Sequence, residues 1–449
     1  MFGFKSWSIP VLLFGIAAAP GWSQTPDPRV DQLEQKVEDL DQQLKVAQRK
    51  QELKDQEAAD KAKSAPAVSA AATGFDIQSA DGNYRLRIGA DLQVDDRTFT
   101  GPGAALGADT ILLRRVRPTF SGTVYKYVDY FFRPDFGQGS TIIYDAYLEL
   151  KYFSRAKVRV GKFKPPEGLE RLQSDDDTSF IERGLPTLLV PSRDIGYQVS
   201  GDIVNQRVNY AVGVFNGVPD NSLSDSAASS HRDYTARLFF TPFQPESKSL
   251  LSGLGFGAGV GGGGIDGIAL PAYKTFGQTT FISFASGVVS AGHRNRFAPQ
   301  LTYYLGPFGL LGEYTLTEEG FRKGTLQRVV AFRAWQGEAS YILTGEKKGF
   351  TSPTPKKSFD PHTNGWGAVE LALRVGDFTA QRSIYDYGFV SPATSARHSH
   401  EWVGGVNWYL NRLVRISVDY GNTQFSGATP STVRAPERVL LTRFQINFI

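Results

Sequence analysis

The feature that most constrains this chain is a two-residue alternation of apolar and polar side chains, which is clearest near the C-terminus. The segment after Val439 reads LLTRFQINFI. One of its faces holds Leu440, Phe444, Ile446 and Phe448, and the other holds Arg443, Gln445 and Asn447. A period of two predicts a β-strand whose two faces have different surroundings. Bacterial outer-membrane barrels close with such a strand, in which apolar side chains face lipid and polar side chains face a wet lumen.

The same alternation recurs along most of the chain. In the first segment, the predicted lipid face carries Tyr84, Leu86, Ile88, Ala90, Leu92 and Val94, and the lumen face carries Arg85, Arg87, Asp91, Gln93 and Asp95. In a later one, the predicted lipid face carries Ile142, Tyr144, Ala146, Leu148, Leu150 and Tyr152, and the lumen face carries Asp145, Tyr147, Glu149 and Lys151. About sixteen such segments occur, near 84–95, 111–125, 127–134, 141–153, 157–164, 195–204, 207–216, 233–241, 254–264, 294–305, 308–317, 328–343, 365–375, 399–410, 412–424 and 438–449.

These segments predict an all-β transmembrane fold, an antiparallel β-barrel of about sixteen strands over residues 74–449. A soluble sandwich would alternate in the same way, so the N-terminus decides. Residues 1–23 combine Lys5, an apolar run from Ile9 to Ala19 and a small-residue end, which predicts a cleaved signal peptide. The run is shorter than the ~20 residues of a membrane-spanning helix. We therefore expect a protein of the Gram-negative outer membrane, in contact with its lipids.

The composition agrees with this location. The chain has 47 glycines, 19 tyrosines and 31 phenylalanines, and aromatic residues are typical of the girdles where a barrel meets the membrane interfaces. Since the chain has no cysteine, a disulfide framework and thiol chemistry are excluded. The formal net charge of +4 is small for this length, so a preference for anions has to come from the placement of individual charges.

Ahead of the barrel, residues 24–55 predict a coiled-coil helix in the periplasm. Its two heptad positions are occupied by Val30, Val37 and Leu44 and by Leu33, Leu40 and Ala47. A single helix with this stripe would bury nothing, so the pattern predicts self-association; a solvated, partly frayed helix is the alternative. Residues 56–73 lose the periodicity and predict a flexible linker.

The strongest cluster of charge lies in the second predicted strand, LLRRVRPTFSGTVY. Arg115 and Arg117 fall on its lumen face. Arg114 falls on the lipid face, where an arginine at the membrane midplane costs about 2–4 kcal/mol. Arg114 is therefore expected near a rim, at a subunit contact, or beside a bulge that turns it inward. The lumen arginines either line a path for anions or balance lumen carboxylates such as Asp145.

Residues 165–194 predict a long loop, which usually has a function. Inside a sixteen-stranded barrel such a loop can fold into the lumen and set the pore width. It carries Arg171, Arg183 and Arg193, and guanidinium groups in a narrow pore attract anions and hold phosphate through paired hydrogen bonds. It also carries the acidic run Asp175–Asp177, which is expected to neutralise nearby arginines rather than to bind Ca²⁺. Other long loops are predicted at 217–232, 265–292 and 344–364, and YKYV and YLNRLV predict short periplasmic turns. The glycine-rich segment 255–264 predicts a strand packed closely against a neighbour or another subunit.

Several runs resemble the phosphate-selective porin O and P family. They are RRVRPTFSGTVYKYVDYFFRPDFG, IYDAYLELKYF, VRVGKFKPPEGLE, FIERGLP, YILTGE and VNWYLNRLVRISVDY. The likeness covers about 84–449 and includes the preceding coiled coil. It implies a sixteen-stranded barrel, a homotrimer, and uptake of inorganic phosphate or other small anions across the outer membrane.

The resemblance also implies roles for single residues. The family's constriction has two adjacent arginines on the second strand, which match Arg114 and Arg115. An acid on the fourth strand matches Asp145, and the arginine of an ER pair matches Arg183. Arg171 stands where the family's phosphate channels have a lysine. Asp91 departs from the pattern, because those channels have an arginine there. Its carboxylate would weaken phosphate binding and could accept a hydrogen bond from a different solute.

Other functions compete with that of an anion channel. A general or organic-anion porin without phosphate specificity remains open, and so does a structural tether that contacts the periplasmic cell wall through the coiled coil. A lipase or protease built on a barrel would need a Ser/His or Asp/His site, and none of the histidines lies in such a motif. His398 and His400 lack an apparent third metal ligand, and the glycine-rich segment lacks the Gly-Lys-Ser/Thr of nucleotide sites. We therefore expect no enzymatic activity, no cofactor and no nucleic-acid partner.

Overall fold

The structure is a computed structural model that describes residues 28–71, 74–101, 107–225, 230–244, 249–427 and 434–448. The predicted signal peptide, residues 1–23, lies outside the described residues. The chain divides into two compact units, residues 1–65 and 66–449. Among the described residues, no helix has both the length and the apolar character that a membrane crossing requires.

The first unit contains the helix α1, Pro28–Ser64. The heptad residues Val30, Leu33, Val37, Leu40 and Leu44 are all exposed along it. The helix continues beyond the predicted end at residue 55, because QEAADKAK consists mainly of good helix formers and contains no glycine or proline before Pro66. The linker predicted at 56–73 is therefore wrong for its first part, and residues 67–71 form a strand. Self-association of the helix stays a prediction.

The second unit is a β-barrel. In chain order its strands are β1 (Ala67–Ala71), β2 (Gly74–Gln78), β3 (Arg85–Thr100), β4 (Thr110–Val124), β5 (Val128–Asp135), β6 (Ile142–Phe153), β7 (Ala156–Phe163), β8 (Asp194–Ile203), β9 (Val208–Phe215), β10 (Asp233–Phe240), β11 (Leu254–Ala269), β12 (Tyr273–Lys274), β13 (Thr280–Ile282), β14 (Val288–Leu305), β15 (Phe308–Lys323), β16 (Leu326–Ile342), β17 (Ala368–Ala380), β18 (His398–Tyr409), β19 (Val414–Ser426) and β20 (Glu437–Phe448). Two short helices, α2 (Leu169–Leu172) and α3 (Ser383–Asp386), lie in the connections.

Sixteen antiparallel strands close the barrel, as predicted. They are β3 to β11 and β14 to β20, each paired with its neighbour in sequence, and β20 closes the sheet on β3 with Phe444 opposite Val94. The predicted faces of β20 are confirmed, since Phe444 is exposed and Arg443 is buried. The sequence did not predict β1 and β2, of which β2 pairs with the first residues of β3, where β20 has already ended.

Two β-bulges change which way side chains point. In the β3–β4 ladder Gln93 pairs with Arg115 and Val94 with Leu113, so Arg114 is the extra residue. In the β5–β6 ladder Arg133 pairs with Asp145 and Pro134 with Ile143, so Tyr144 is the extra residue. Tyr144 is buried and Ile143 is exposed. The prediction that Tyr144 faces lipid is therefore wrong, because a bulge shifts the alternation by one residue.

The connections differ between the two ends of the barrel. One end, here called the short-turn end, has the turns at 125–127, 154–155 and 410–413 and also the long connection 343–367, called loop B. The connection 164–193, called loop A, lies at the opposite end. The long loop predicted at 265–292 is shorter than expected, because β11 extends to Ala269 and β14 begins at Val288.

An apolar core fills part of the barrel interior near the end opposite the short turns. Residues 270–287, the segment around α3 and the turn Leu185–Leu189 supply it together with β15, β16 and β17. Its centre is aromatic, since the ring of Phe378 lies 5.2 Å from those of Tyr273 and Phe281. Alternation alone predicts a polar lumen, so this core was not expected from the sequence.

Candidate functional site

Loop A lies against lumen faces on several sides of the barrel. The backbone N–H groups of Leu169 and Glu170 donate to the carboxylate of Glu313 on β15, at 2.6 and 3.1 Å. Further along, the N–H of Ile181 donates to Asp419 on β19, at 2.6 Å. Since loop A leaves the wall at β7, these anchors hold it across the interior.

Glycines in the wall make room for loop A. A side chain on Gly259 would meet the backbone oxygen of Glu167 at 2.3 Å, and one on Gly405 would meet the ring of Phe180 at 3.3 Å. The glycine-rich segment 255–264 does form a strand, β11. Within the described chain, the glycines of β11 allow Glu167 of loop A to pack closely against this strand.

Loop B approaches loop A from the short-turn end. Gln173 of loop A donates to the carbonyl of Phe350 at 2.7 Å, and the N–H of Ser352 donates to Asp177 at 2.7 Å. Lys348 of loop B also pairs with Glu370 on β17, at 2.7 Å. Connections from both ends of the barrel therefore meet inside it.

The bulge on β4 explains the position of Arg114. The Arg114 guanidinium donates twice to Glu182 of loop A, at 2.7 and 3.0 Å, and Arg97 adds a third contact at 3.3 Å. Although burial raises the pKa of the Glu182 carboxyl, Arg114 and Arg97 outweigh it and hold that pKa below its usual value. Of the three positions expected for Arg114, a bulge that turns it inward is the one observed.

Asp175 of loop A collects most of the other predicted arginines. Arg117 contacts its carboxylate at 2.6 Å, Arg183 at 2.6 Å and Arg115 at 3.4 Å. The Tyr144 hydroxyl, turned inward by its bulge, donates to the same carboxylate at 2.8 Å. Burial raises the pKa of Asp175, but the surrounding guanidinium groups reverse this and hold the pKa well below its usual value. The structure thus brings Arg115, Arg117 and Arg183 together around one acid.

Asp91 faces the lumen as predicted and is 1% exposed. Arg117 is opposite it on β4 and approaches its carboxylate at 4.0 Å. Arg117 also binds Asp135 at 2.7 Å. The charge of Arg117 is therefore shared among three carboxylates, counting Asp175, and Asp91 receives the weakest of these contacts.

Arg171 lies apart from this cluster. It is 6% exposed and donates to the Thr187 carbonyl and to the Asn221 side chain, at 2.5 and 2.7 Å. In the described part of the chain no carboxylate lies within 4.0 Å of its guanidinium. Burial, together with the charge of Arg183, lowers the pKa of Arg171 to about 10, so the group stays protonated at neutral pH.

Asp145 lines a separate cavity of about 360 Å³ between loop A and the short-turn end, here called the basic cavity. Its charged lining consists of Asp145 and five cations: Arg133, Arg159, Lys164, Arg193 and Arg237. Arg193 pairs with Asp145 at 3.2 Å, and Arg159 pairs with Glu149. Among the described residues, no carboxylate lies within 4.0 Å of Arg133, Lys164 or Arg237. The basic cavity therefore has an excess of positive charge.

Of these five cations, Arg133, Arg159 and Arg237 were not among the residues that the sequence singled out. Arg133 is 8% exposed and donates to the Thr119 hydroxyl at 3.0 Å, while the Lys164 ammonium donates to the carbonyls of Leu172 and Gln173 at 3.2 and 2.7 Å. Arg133 stands two residues before Asp135, and residues two apart on a strand share a face. This spacing of two charged residues was a usable signal that Arg133 faces the lumen. Whether a lumen arginine has a carboxylate partner depends on loop A, which the alternation does not describe.

Known proteins with similar sequences identify the family of this chain. The family model of the phosphate-selective porin O and P family matches residues 83–448. The chain belongs to this family. Porin O of Pseudomonas aeruginosa is 23% identical over 388 residues, which cover 77% of this chain and 84% of that protein. The family and the closed barrel make this protein an outer-membrane porin.

Solved structures of porins share the fold at low identity. The outer-membrane channel DcaP of Acinetobacter baumannii has a TM-score of 0.55 and 11% identity, over 84% of this chain and 100% of that one. The anion-selective porin from Comamonas acidovorans has a TM-score of 0.50 and 11% identity, over 81% of this chain and 100% of that one. At such identities the likeness shows the fold alone, so the solute of this porin has to be argued from its own residues.

Proposed function

We propose that this porin is a diffusion channel for small anions, and that the basic cavity selects the sign of the permeating ion. The observation that supports this is the presence of Arg133 and Arg237 on one cavity without a carboxylate within 4.0 Å in the described chain. Fixed positive charges in a narrow, water-filled path attract anions and repel cations. The selection is electrostatic, and it involves no bond-making chemistry.

In this proposal the main role of the predicted arginine cluster is to hold loop A in place. Arg114, Arg115, Arg117 and Arg183 hold loop A through Glu182 and Asp175. Because each of these guanidinium groups has a carboxylate partner, the cluster contributes less net charge than the sequence suggests. Together with loop A, the cluster narrows the lumen. The cations beside Asp145 and Arg171, which has no ion-pair partner in the described chain, supply most of the positive electrostatic field there. The selectivity filter is thus the basic cavity together with loop A.

The solute class is small oxyanions, with phosphate or a polyphosphate as the first candidates. The family description and the name of Porin O support phosphate. Asp91 and Asp135 beside Arg117 act against tight binding of a doubly charged anion at that point. We therefore expect phosphate to pass, and to bind less tightly than it would at a cluster of unpaired arginines.

The proposal is tested by Arg133→Gln, which removes an unpaired lumen charge. In planar bilayers with a KCl gradient, the wild type should show an anionic reversal potential and the variant a smaller one. A unit charge roughly 8 Å from the ion path is worth about 0.5 kcal/mol at the dielectric constant of water. Because it acts with opposite sign on chloride and potassium, the permeability ratio should fall about sixfold.

The matched control is Arg155→Gln, which removes the same charge at an exposed turn. Equal shifts in both variants would show that overall charge sets the selectivity and that the basic cavity is not the filter. A cationic reversal potential in the wild type would refute the anion channel itself.

We also propose that the porin is a homotrimer and that α1 lies in the periplasm. The exposed heptad stripe of α1 supports an assembly through a coiled coil. The stripe would equally serve contact with the cell wall, which is the alternative role for this segment. A native mass measurement in mild detergent decides whether the purified porin is trimeric.

A further inference from the structure

A second cavity at the short-turn end differs from the basic cavity in its chemistry. It has a volume of about 620 Å³, within the range of roughly 300–1,000 Å³ that is typical of small-molecule sites. Its walls include the apolar and aromatic side chains of Leu169, Phe239, Tyr304 and Phe350, and its two cations are Arg237 and Lys348. We call it the amphipathic cavity.

Of its two cations, only Arg237 is available to a ligand. Lys348 is engaged by Glu370 at 2.7 Å and by the Ser179 hydroxyl at 2.9 Å. Arg237 donates to the neutral side chains of Gln300 and Asn209, at 2.9 and 3.1 Å. Within the described chain no carboxylate lies within 4.0 Å of it, so it makes no close ion pair.

The apolar wall begins directly beside this charge. The Arg237 guanidinium carbon lies 4.5 Å from the centre of the Phe239 ring. Phe350 is held in place because its carbonyl accepts a hydrogen bond from Gln173 of loop A. A small hydrated ion gains nothing from these rings, whereas an anion with an apolar body buries surface against them and gains affinity.

We propose that the amphipathic cavity binds aromatic monocarboxylates, with the carboxylate on Arg237 and the ring between Phe239 and Phe350. Arg237 also lines the basic cavity, so the two cavities share this charged wall. The inference rests on the proposed anion channel. It names a class of solute that the amphipathic cavity would bind while the solute passes through the channel.

The test compares benzoate with acetate as blockers of chloride current through the full-length protein in planar bilayers. Burial of the ring should let benzoate reach half-block at about tenfold lower concentration than acetate. Phe350→Ala should remove this advantage while leaving acetate block unchanged. Arg237→Gln should weaken block by both anions.

The matched controls are Phe256→Ala, an exposed ring on β11 outside the cavity, and Arg322→Gln, which pairs with Asp266 near the other end. The proposed site would be overturned if benzoate blocked chloride current no better than acetate. It would also be overturned if the stronger block by benzoate persisted in Phe350→Ala. Either outcome counts against the site only if the reversal potential shows that the channel is still anion-selective. A channel that prefers cations would instead refute the proposed function.

Discussion

At the scale of single residues, Asp175 organises the charge inside the barrel. Three guanidinium groups and the Tyr144 hydroxyl converge on its carboxylate. An unpaired buried charge is strongly destabilising, so one acid shared by several arginines both lowers the field and fixes their positions. In the proposed channel, we expect Asp175 to determine how much of the arginine charge acts on a permeating ion.

Asp175→Asn should therefore make the porin more anion-selective. The substitution removes one negative charge and leaves Arg115 and Arg183 without a carboxylate within 4.0 Å in the described chain. At roughly 8 Å from the ion path the gain is about sixfold in permeability ratio, because the charge acts with opposite sign on the anion and the cation. Reversal potentials in a salt gradient measure it.

The control is Asp266→Asn, which removes the same charge from an exposed pair with Arg322. Because Asp175→Asn also weakens the hold on loop A, thermal unfolding of both variants should be recorded. A folded Asp175→Asn barrel with unchanged selectivity would show that Asp175 does not face the ion path.

At the scale of elements, the position of loop A depends on small residues in the opposite wall as much as on ion pairs. Gly259 leaves space for the backbone of Glu167, and Gly405 leaves space for the ring of Phe180. The two connections inside the barrel also support each other, since Gln173 and Asp177 of loop A bond to loop B. Displacing one connection should thus loosen the other.

Gly259→Val should increase single-channel conductance. The nearest atoms to a new side chain belong to the Glu167 backbone, at 2.3 Å for its oxygen, so the loop has to move. Conductance in planar bilayers measures the widening.

The matched control is Gly404→Val, because a side chain on Gly404 meets no atom within 4 Å. The control should conduct like the wild type. If Gly259→Val also conducts like the wild type, loop A near Glu167 does not narrow the path.

The two bulges and the loops also mark how far sequence reasoning reaches. Alternation predicted all sixteen strands of the barrel, usually within a few residues, because lipid and water impose opposite demands on the two faces. It placed Asp91, Arg115 and Arg117 in the lumen correctly. It failed at Tyr144, because a bulge leaves no local signal in the composition. Alternation did not identify Glu182 as the partner of Arg114, because Glu182 lies on a loop without periodicity. The acidic run Asp175–Asp177 did indicate neutralisation of nearby arginines, and Asp175 contacts three of them.

At the scale of the whole molecule, the described residues form two units with different surroundings. The barrel unit exposes apolar residues such as Leu148 and Phe444 on its wall and buries charged ones inside. The helix α1 exposes its apolar heptad residues as well. In a lone helix such a stripe is unfavourable in water, so assembly of several copies accounts for it best.

Replacing Leu33 and Leu40 together by serine should lower the temperature at which the proposed trimer dissociates. Both residues occupy the same heptad position, and each loses the burial of a leucine side chain, worth about 1.5–3 kcal/mol. Native mass measurement over a temperature series follows dissociation.

The control is the double replacement of Gln35 and Gln42 by serine, which has the same spacing on the outer side of the heptad. Single-channel conductance should not change in either variant. Equal dissociation temperatures would show that α1 does not hold the subunits together.

The bulge on β4 has a consequence for how the wall can change in length. In a regular strand, one added residue exchanges the faces of all that follow. Arg114 is an added residue that the ladder already accommodates, since Leu113 and Arg115 keep partners on β3. Deleting it would leave both halves of β4 in register and would remove the two hydrogen bonds from Arg114 to Glu182, while Arg97 keeps its contact. A porin wall of this kind can therefore gain or lose an anchoring side chain for its inner loop by a single insertion or deletion, while the strand pairing of the barrel stays the same.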